Sequence, residues 1–314
     1  MMHDNKQKIP VIVISGTNAS GKSSLGIELA QKYNGEIISA DSRQIFRKFD
    51  LCCGKVTGEE RNMVPHHMID ICNVGDSFSV SDYQKRVYKL IPEIIGRGRL
   101  PFVVGGTGLY IDAITKGYNF ADEIIDFEYR KQLEDKTVPE LQAMLSDNAI
   151  CLLKNNNSEF NNKRRLIRAI EKEKNGSSLL VSNHPMYDIL QIGVTWPKEL
   201  LYKRIDRRLA MRIEQGMIDE VRDYLQGGGN PQYLYNLGLE YKYIAWYIEG
   251  KYTSLEEFSY EMERAIKHFA KQQIKWFKRN PNIYWIDMTR DYFNESCDLI
   301  DDFLKTINYG CKLF

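Results

Sequence analysis

The sequence predicts an α/β fold, a parallel sheet flanked by helices and interrupted by an all-helical insertion. Three observations lead there. Five runs, "IPVIVIS" (9–15), "EIISADS" (36–42), "PFVVGGT" (101–107), "DILQIGVTW" (188–196) and "NIYWIDMT" (282–289), are almost continuously apolar. That is the pattern of strands buried on both faces. Helical periodicity separates the first three, most clearly in "SDYQKRVYKLIPEIIGRG" (81–98), and strand–helix alternation signals a sheet covered on both sides. From 118 to 185 no strand is visible, while "EIIDFEYRKQLED", "VPELQAMLS" and "NNKRRLIRAIEKEKNG" read as helices. The expected organisation is a core of 1–117 and 186–314 with a helical insertion at 118–185.

Composition narrows the class. The 314 residues are 43% hydrophobic and 27% charged with a net charge of +1, an ordinary globular balance. Any nucleic-acid partner must then be met by a local basic patch. The six cysteines show no CxxC or metal-ligand spacing, which suits a reducing compartment. With no 18-residue apolar run and a polar "MMHDNKQK" start, a cytoplasmic chain without a membrane segment is expected.

The first strand runs into "GTNASGKSS", Gly16-x-x-x-x-Gly21-Lys22-Ser23. Glycines let backbone N–H groups curl around phosphate oxygens and the following helix adds its positive end. Lys22 reaches a terminal phosphate and the Ser23 hydroxyl can hold Mg²⁺. The fold expected is therefore a P-loop-type sheet. At the end of the second strand, "SADSRQIF" puts Asp41 where ligands of open α/β sheets sit. Asp41 reads as a helix cap in preference to a Mg²⁺ ligand, and Gln44 offers an amide to a base edge. "VVGGTGLY" presents Thr107 at the third strand's end, either in a simple turn or at a ligand. In "PHHMID" the adjacent His66 and His67 cannot face one metal from regular structure and read as hydrogen-bonding residues. Basic residues gather on three helices: Arg164, Arg165 and Arg168; Arg204, Arg207, Arg208 and Arg212; and Arg264, Lys267, Lys271, Lys275 and Lys278, opposite Ile266, Phe269, Gln273 and Phe277. Such stripes are solvated faces or polyanion sites, and spacing alone leaves both open.

In this order, "GTNASGKSSLGIELA", "EIISADSRQIFRKFD", "PHHMIDI", "FSVSDYQ", "PFVVGGTGLYIDAI", "NKRRLIRAIE", "RIDRRLAMRIEQGMIDEV" and "AKQQIKWFKR" resemble the bacterial-type tRNA dimethylallyltransferase (tRNA isopentenyltransferase) family over roughly residues 9–290. The resemblance implies transfer of a dimethylallyl group from dimethylallyl diphosphate to N6 of the adenosine just 3′ of the anticodon, with release of diphosphate and help from Mg²⁺. It implies that Asp41 is the general base and that Thr107 contacts the target nucleotide. It further implies that Arg208 neutralises the leaving group, and that Gly16, Thr17, Asn18, Ala19, Ser20, Gly21, Lys22 and Ser23 hold the diphosphate, with Ser23 on the metal. Asp41, Ser42, Arg43, Gln44, Arg130, Arg164, Arg165, Leu166, Ile167 and Arg168 match stretches that touch the tRNA anticodon stem-loop. A monomer without a zinc module is expected. The chain departs from the family in three segments. "DIGTAKP" reads "DLCCGKV" (50–56), with Cys52, Cys53 and Gly54 for Gly-Thr-Ala; "TRRYAKRQ" reads "IKHFAKQQ" (266–273); and "GYKE" or "GYRQ" reads "GLEYK" (238–242). Prenylation of a free adenine nucleotide and small-molecule phosphorylation by a P-loop kinase are the rival readings.

Overall fold

A computed structural model describes residues 9–120, 126–154, 160–176 and 183–307. The chain divides into two compact units, Met1–Thr115 with Pro185–Phe314, and Lys116–His184. In the first, six parallel strands, β1 (Ile9–Gly16), β2 (Gly35–Ser39), β3 (His66–His67), β4 (Leu100–Gly105), β5 (Tyr187–Thr195) and β6 (Tyr284–Asp287), form one sheet in the order β3-β2-β4-β1-β5-β6. Its helices before the insertion are α1 (Lys22–Lys32), α2 (Asp50–Cys53), α3 (Gly58–Met63), α4 (Val80–Gly96) and α5 (Gly108–Thr115). The insertion supplies α6 (Phe127–Glu134), α7 (Val138–Ala143), α8 (Asp147–Lys154) and α9 (Lys163–Lys174). After it come α10 (Lys198–Glu214), α11 (Met217–Gln226), α12 (Pro231–Leu237), α13 (Leu239–Ile248), α14 (Leu255–Phe277) and α15 (Tyr292–Thr306).

The apolar runs explain the layers. Side chains alternate along a strand, and in β1 Ile12 and Ile14 join the cluster that includes Leu25 and Leu29 of α1 and Ile300 of α15. Val11 and Val13 join Tyr83, Val87 and Ile91 of α4 and Ile111 of α5 on the other face. All four β1 residues are fully buried, so both faces need apolar residues and the run is continuous. On α4 the buried residues Tyr83, Val87, Ile91 and Ile94 fall on one stripe, and a Ser79–Asp82 capping box starts the helix. A third cluster, including Phe49, Leu209, Tyr241, Phe258 and Met262, joins α10, α13 and α14.

Two expectations change. The strands stop earlier than their apolar runs, because Ala40–Ser42 and Gly106–Thr107 leave the sheet as connecting turns. A sixth strand comes from "PHHMID", where β3 pairs with β2. Two residues are too short a run for hydrophobic patterning to reveal. The histidines make hydrogen bonds. His66 Nδ1 lies 2.7 Å from the Val64 carbonyl, and His67 Nε2 lies 2.6 Å from Glu36, whose carboxylate also takes Arg97.

The insertion has its own small core of Leu133, Leu141, Leu145, Ala149, Leu166, Ile167, Ala169 and Ile170. Arg130 on α6 and the buried Glu171 on α9 tie it together through two hydrogen bonds of 2.6 Å.

Candidate active site

The loop between β1 and α1 is fixed from outside. Trp196 Nε1 donates to the Ser20 carbonyl at 2.8 Å and Arg204 Nε to the Ala19 carbonyl at 2.9 Å. The Arg204 guanidinium lies 4.3 Å from the Trp196 ring centroid, so the two clamps brace each other. Ala19 is held at φ 60°, a conformation that a non-glycine residue keeps only when its surroundings impose it. Within the loop Lys22 Nζ donates to the Thr17 carbonyl at 3.2 Å. The Asn18 N–H, expected in the phosphate cradle, instead donates to Gln273 Oε1 at 3.0 Å.

Ala19, Ser20, Gly21, Lys22 and Ser23 line a cavity of about 380 Å³, faced also by Lys55, Glu60, Arg204, Arg207 and Arg208. Gly16 and Thr17 do not line it. Lys55 is neutralised by Asp50 and Asp70, each at 2.6 Å, and Glu60 caps α3 through Thr57. The remaining charge is strongly positive. Burial, then the nearby Arg208, push the Lys22 ammonium down to about 8. Burial, then Arg212, push Arg208 down to about 10. Cations destabilised in this way gain from an anion that replaces lost hydration. Among the described residues no group of three His, Cys, Asp or Glu can hold a metal by itself. Among the described residues the Ser23 hydroxyl has no hydrogen-bond partner, and a free hydroxyl oxygen is a donor atom that Mg²⁺ accepts.

A second cavity of about 360 Å³ contains Asp41, Ser42, Arg43 and Thr107 with Cys53, Arg208, Arg212, Glu240, Phe269 and Trp276 among its lining. Parallel pairing of β2 with β4 brings the first four together. Gly105 makes this possible, since a Cβ there would collide with the Ala40 carbonyl. The Thr107 N–H donates to that same carbonyl at 3.1 Å, and Thr107 Oγ1 accepts the Ser42 N–H at 3.0 Å. Asp41 Oδ1 accepts the Arg43 N–H at 2.9 Å. It thus braces a turn rather than capping a helix, and its other oxygen has no partner among the described residues. Arg208 lines both cavities.

Gln273 was placed by its sequence only on the apolar face of α14. It is buried there, and while Oε1 takes the Asn18 N–H, Nε2 donates to the Gly106 carbonyl at 3.0 Å. One side chain therefore joins the phosphate loop to the Thr107 turn. A glutamine among Ile266, Ala270 and Phe277 was the available signal, since a buried amide needs partners.

Several expected contacts are redirected. Gln44 is buried, with Oε1 accepting from Ser39 at 2.8 Å and Nε2 donating to the Gly54 carbonyl at 3.1 Å, so its amide serves the protein rather than a base edge. Leu166 and Ile167 are 0% and 5% exposed in the insertion core, leaving Arg164, Arg165 and Arg168 as the outward residues of that stretch. Arg130 has Nε and Nη2 engaged by Glu171. Cys52 and Cys53 are thiols at neutral pH, the latter pushed up to about 12, mainly by burial. Their helix α2 starts on the Glu220 carboxylate, which accepts the Leu51 and Cys52 N–H groups at 2.8 and 3.0 Å.

The sequence pattern of the IPP transferase family matches residues 44–280. The chain is 39% identical over 285 residues to the tRNA dimethylallyltransferase of Heliobacterium modesticaldum, covering 87% of this chain and 88% of that protein. The crystal structure of the tRNA isopentenylpyrophosphate transferase of Bacillus halodurans superimposes with a TM-score of 0.72 at 36% identity, over 96% of this chain and 98% of that one. The tRNA Δ(2)-isopentenylpyrophosphate transferase of Staphylococcus epidermidis gives 0.68 at 33%, over 95% and 99%. With two cavities meeting at one arginine on a parallel sheet, and with relatives matched along nearly their whole length, this chain belongs to the IPP transferase family.

Proposed function

We propose that the chain transfers a dimethylallyl group from dimethylallyl diphosphate to N6 of the adenosine next to the anticodon on its 3′ side in tRNA. The observation that carries this reading is Arg208, which lines both the cationic loop cavity and the cavity of Asp41 and Thr107. The diphosphate occupies the first and the adenine the second, so C1 of the donor lies where they meet. The N6 lone pair forms the new C–N bond as the C1–O bond breaks. The breaking pair stays on the diphosphate oxygen, and the N6 proton passes to the Asp41 carboxylate. An exocyclic amine is a weak nucleophile, and loss of its proton during attack lowers the barrier. Lys22 and Arg208 face the oxygen on which charge grows, in a site where water no longer weakens them. The Ser23 hydroxyl would hold a Mg²⁺ ion here, which would supply further charge neutralisation.

The base reaches Asp41 by leaving its stack, which loop RNA permits at small cost. The outward arginines of α9, Arg164, Arg165 and Arg168, are the insertion's contacts to the anticodon stem-loop. The test incubates the protein with dimethylallyl diphosphate, Mg²⁺ and unmodified tRNA, and reads isopentenyladenosine by mass spectrometry. Asp41→Ala is expected to slow transfer at least about 10²-fold. A wild-type protein that makes no product, or that modifies AMP in preference to tRNA, overturns the reading.

A further inference from the structure

Gly54 ends α2 in the left-handed region, at φ 59° and ψ 56°, and Gln44 holds its carbonyl at 3.1 Å. A Cβ at this position would collide with Nη2 of Arg212 and come within 2.5 Å of Nη2 of Arg208. The two guanidinium ends therefore share the space above Gly54. A methyl group at this position would take the place Arg212 occupies.

Arg208 and Arg212 are four residues apart on α10, so they stand on one face of the helix. Like charges at that spacing repel each other. Neither makes an ion pair with a carboxylate among the described residues; Asp41 and Glu240 share the cavity with them. Arg208 lines both cavities, and Arg212 lines the one that holds Asp41. Two cations brought together without a carboxylate in contact converge on something anionic at the boundary of the cavities.

We propose that Arg212 is a second leaving-group arginine, forming with Arg208 a fork over Gly54 that receives the diphosphate oxygen as the C1–O bond breaks. The inference rests on the transfer reading above. In that step the bonding pair moves wholly onto oxygen, and two guanidinium groups match the spread of charge better than one. Gly54 is then the residue that admits the second arginine.

The test compares Arg212→Met, Arg212→Lys and Gly54→Ala in the full chain, each with its melting temperature. It measures kcat at saturating substrates, KM for tRNA, inhibition by inorganic diphosphate, and calorimetric binding of diphosphate without acceptor. Arg212→Met is expected to lower kcat about 10- to 100-fold and to weaken diphosphate binding about tenfold, with KM for tRNA changed less than about twofold. Arg212→Lys keeps part of both, because the charge remains without the fork. Gly54→Ala shifts both in the direction of Arg212→Met. Unchanged kcat and diphosphate binding, or an effect confined to KM for tRNA, overturns the proposal. If the wild type makes no product, the transfer reading falls instead, and the calorimetric arm still decides whether the fork binds diphosphate.

Discussion

Arg130 in the insertion and Arg208 in the sheet unit are both half-buried guanidinium groups, yet their surroundings are opposite. Arg130 is gripped by Glu171 at 2.6 Å on two edges, and that carboxylate holds its pKa above the ordinary value. Arg208 has no such partner among the described residues, and burial beside Arg212 pulls it down to about 10. The difference separates two uses of one side chain. A guanidinium satisfied inside the protein holds a fold together. One left unsatisfied at a cavity wall costs stability and is available to a ligand.

Stability should expose the contrast most strongly. Arg130→Met leaves the buried Glu171 carboxylate only the longer contact of Arg168 at 3.5 Å, and unfolding of the full chain by urea should show a loss of about 2 kcal/mol. Arg208→Met removes a repulsive charge, so stability should hold within about 1 kcal/mol or rise. Equal losses in the two variants would break the comparison.

The second effect is on ligand binding and follows from Lys22. In the folded chain its ammonium loses a proton near pH 8, whereas the ordinary value is 10.5. Below pH 8 the charged form attracts diphosphate; above it the group is neutral. Diphosphate affinity measured by calorimetry should fall as pH rises through 8, by about tenfold near pH 9 if only the charged form binds. Fold stability moves the other way between 8 and 10.5, because there the unfolded chain binds the extra proton. Affinity independent of pH across this window would remove Lys22 from the anion site.

The smallest change in stability is expected at Arg164, which is exposed on α9. Arg164→Ala should alter stability by less than about 0.5 kcal/mol. It should weaken tRNA binding and reduce its salt dependence by about one ion. A stability loss as large as that of Arg130→Met would mean that exposure is no guide to use in the insertion.

The sheet, the insertion's helices and the loop were readable in the sequence because each rests on a local period or a fixed spacing. Asp41 and Thr107 were readable as strand ends, and parallel pairing then put them side by side. What stayed hidden depends on residues far apart in the chain. Gln273 reaches Asn18 across 255 positions, and Arg212 finds its place only because Gly54 lacks a side chain. Leu166 and Ile167 carry the opposite lesson. A stretch matched to a partner as a block includes residues whose side chains belong to the core, and helical periodicity already marks them as inward-facing.

Trp196, hydrogen-bonded to the phosphate loop, gives the site a property beyond chemistry. A second indole, Trp276, lines the cavity of Asp41 and Thr107, while Trp196 stands behind the loop cavity in contact with Ser20 and Arg204 of its lining. The chain has four tryptophans. With Trp246 and Trp285 replaced by phenylalanine, the two that remain would report the filling of the donor and acceptor cavities as separate optical signals, and the order in which the substrates arrive could be followed in time without any added label.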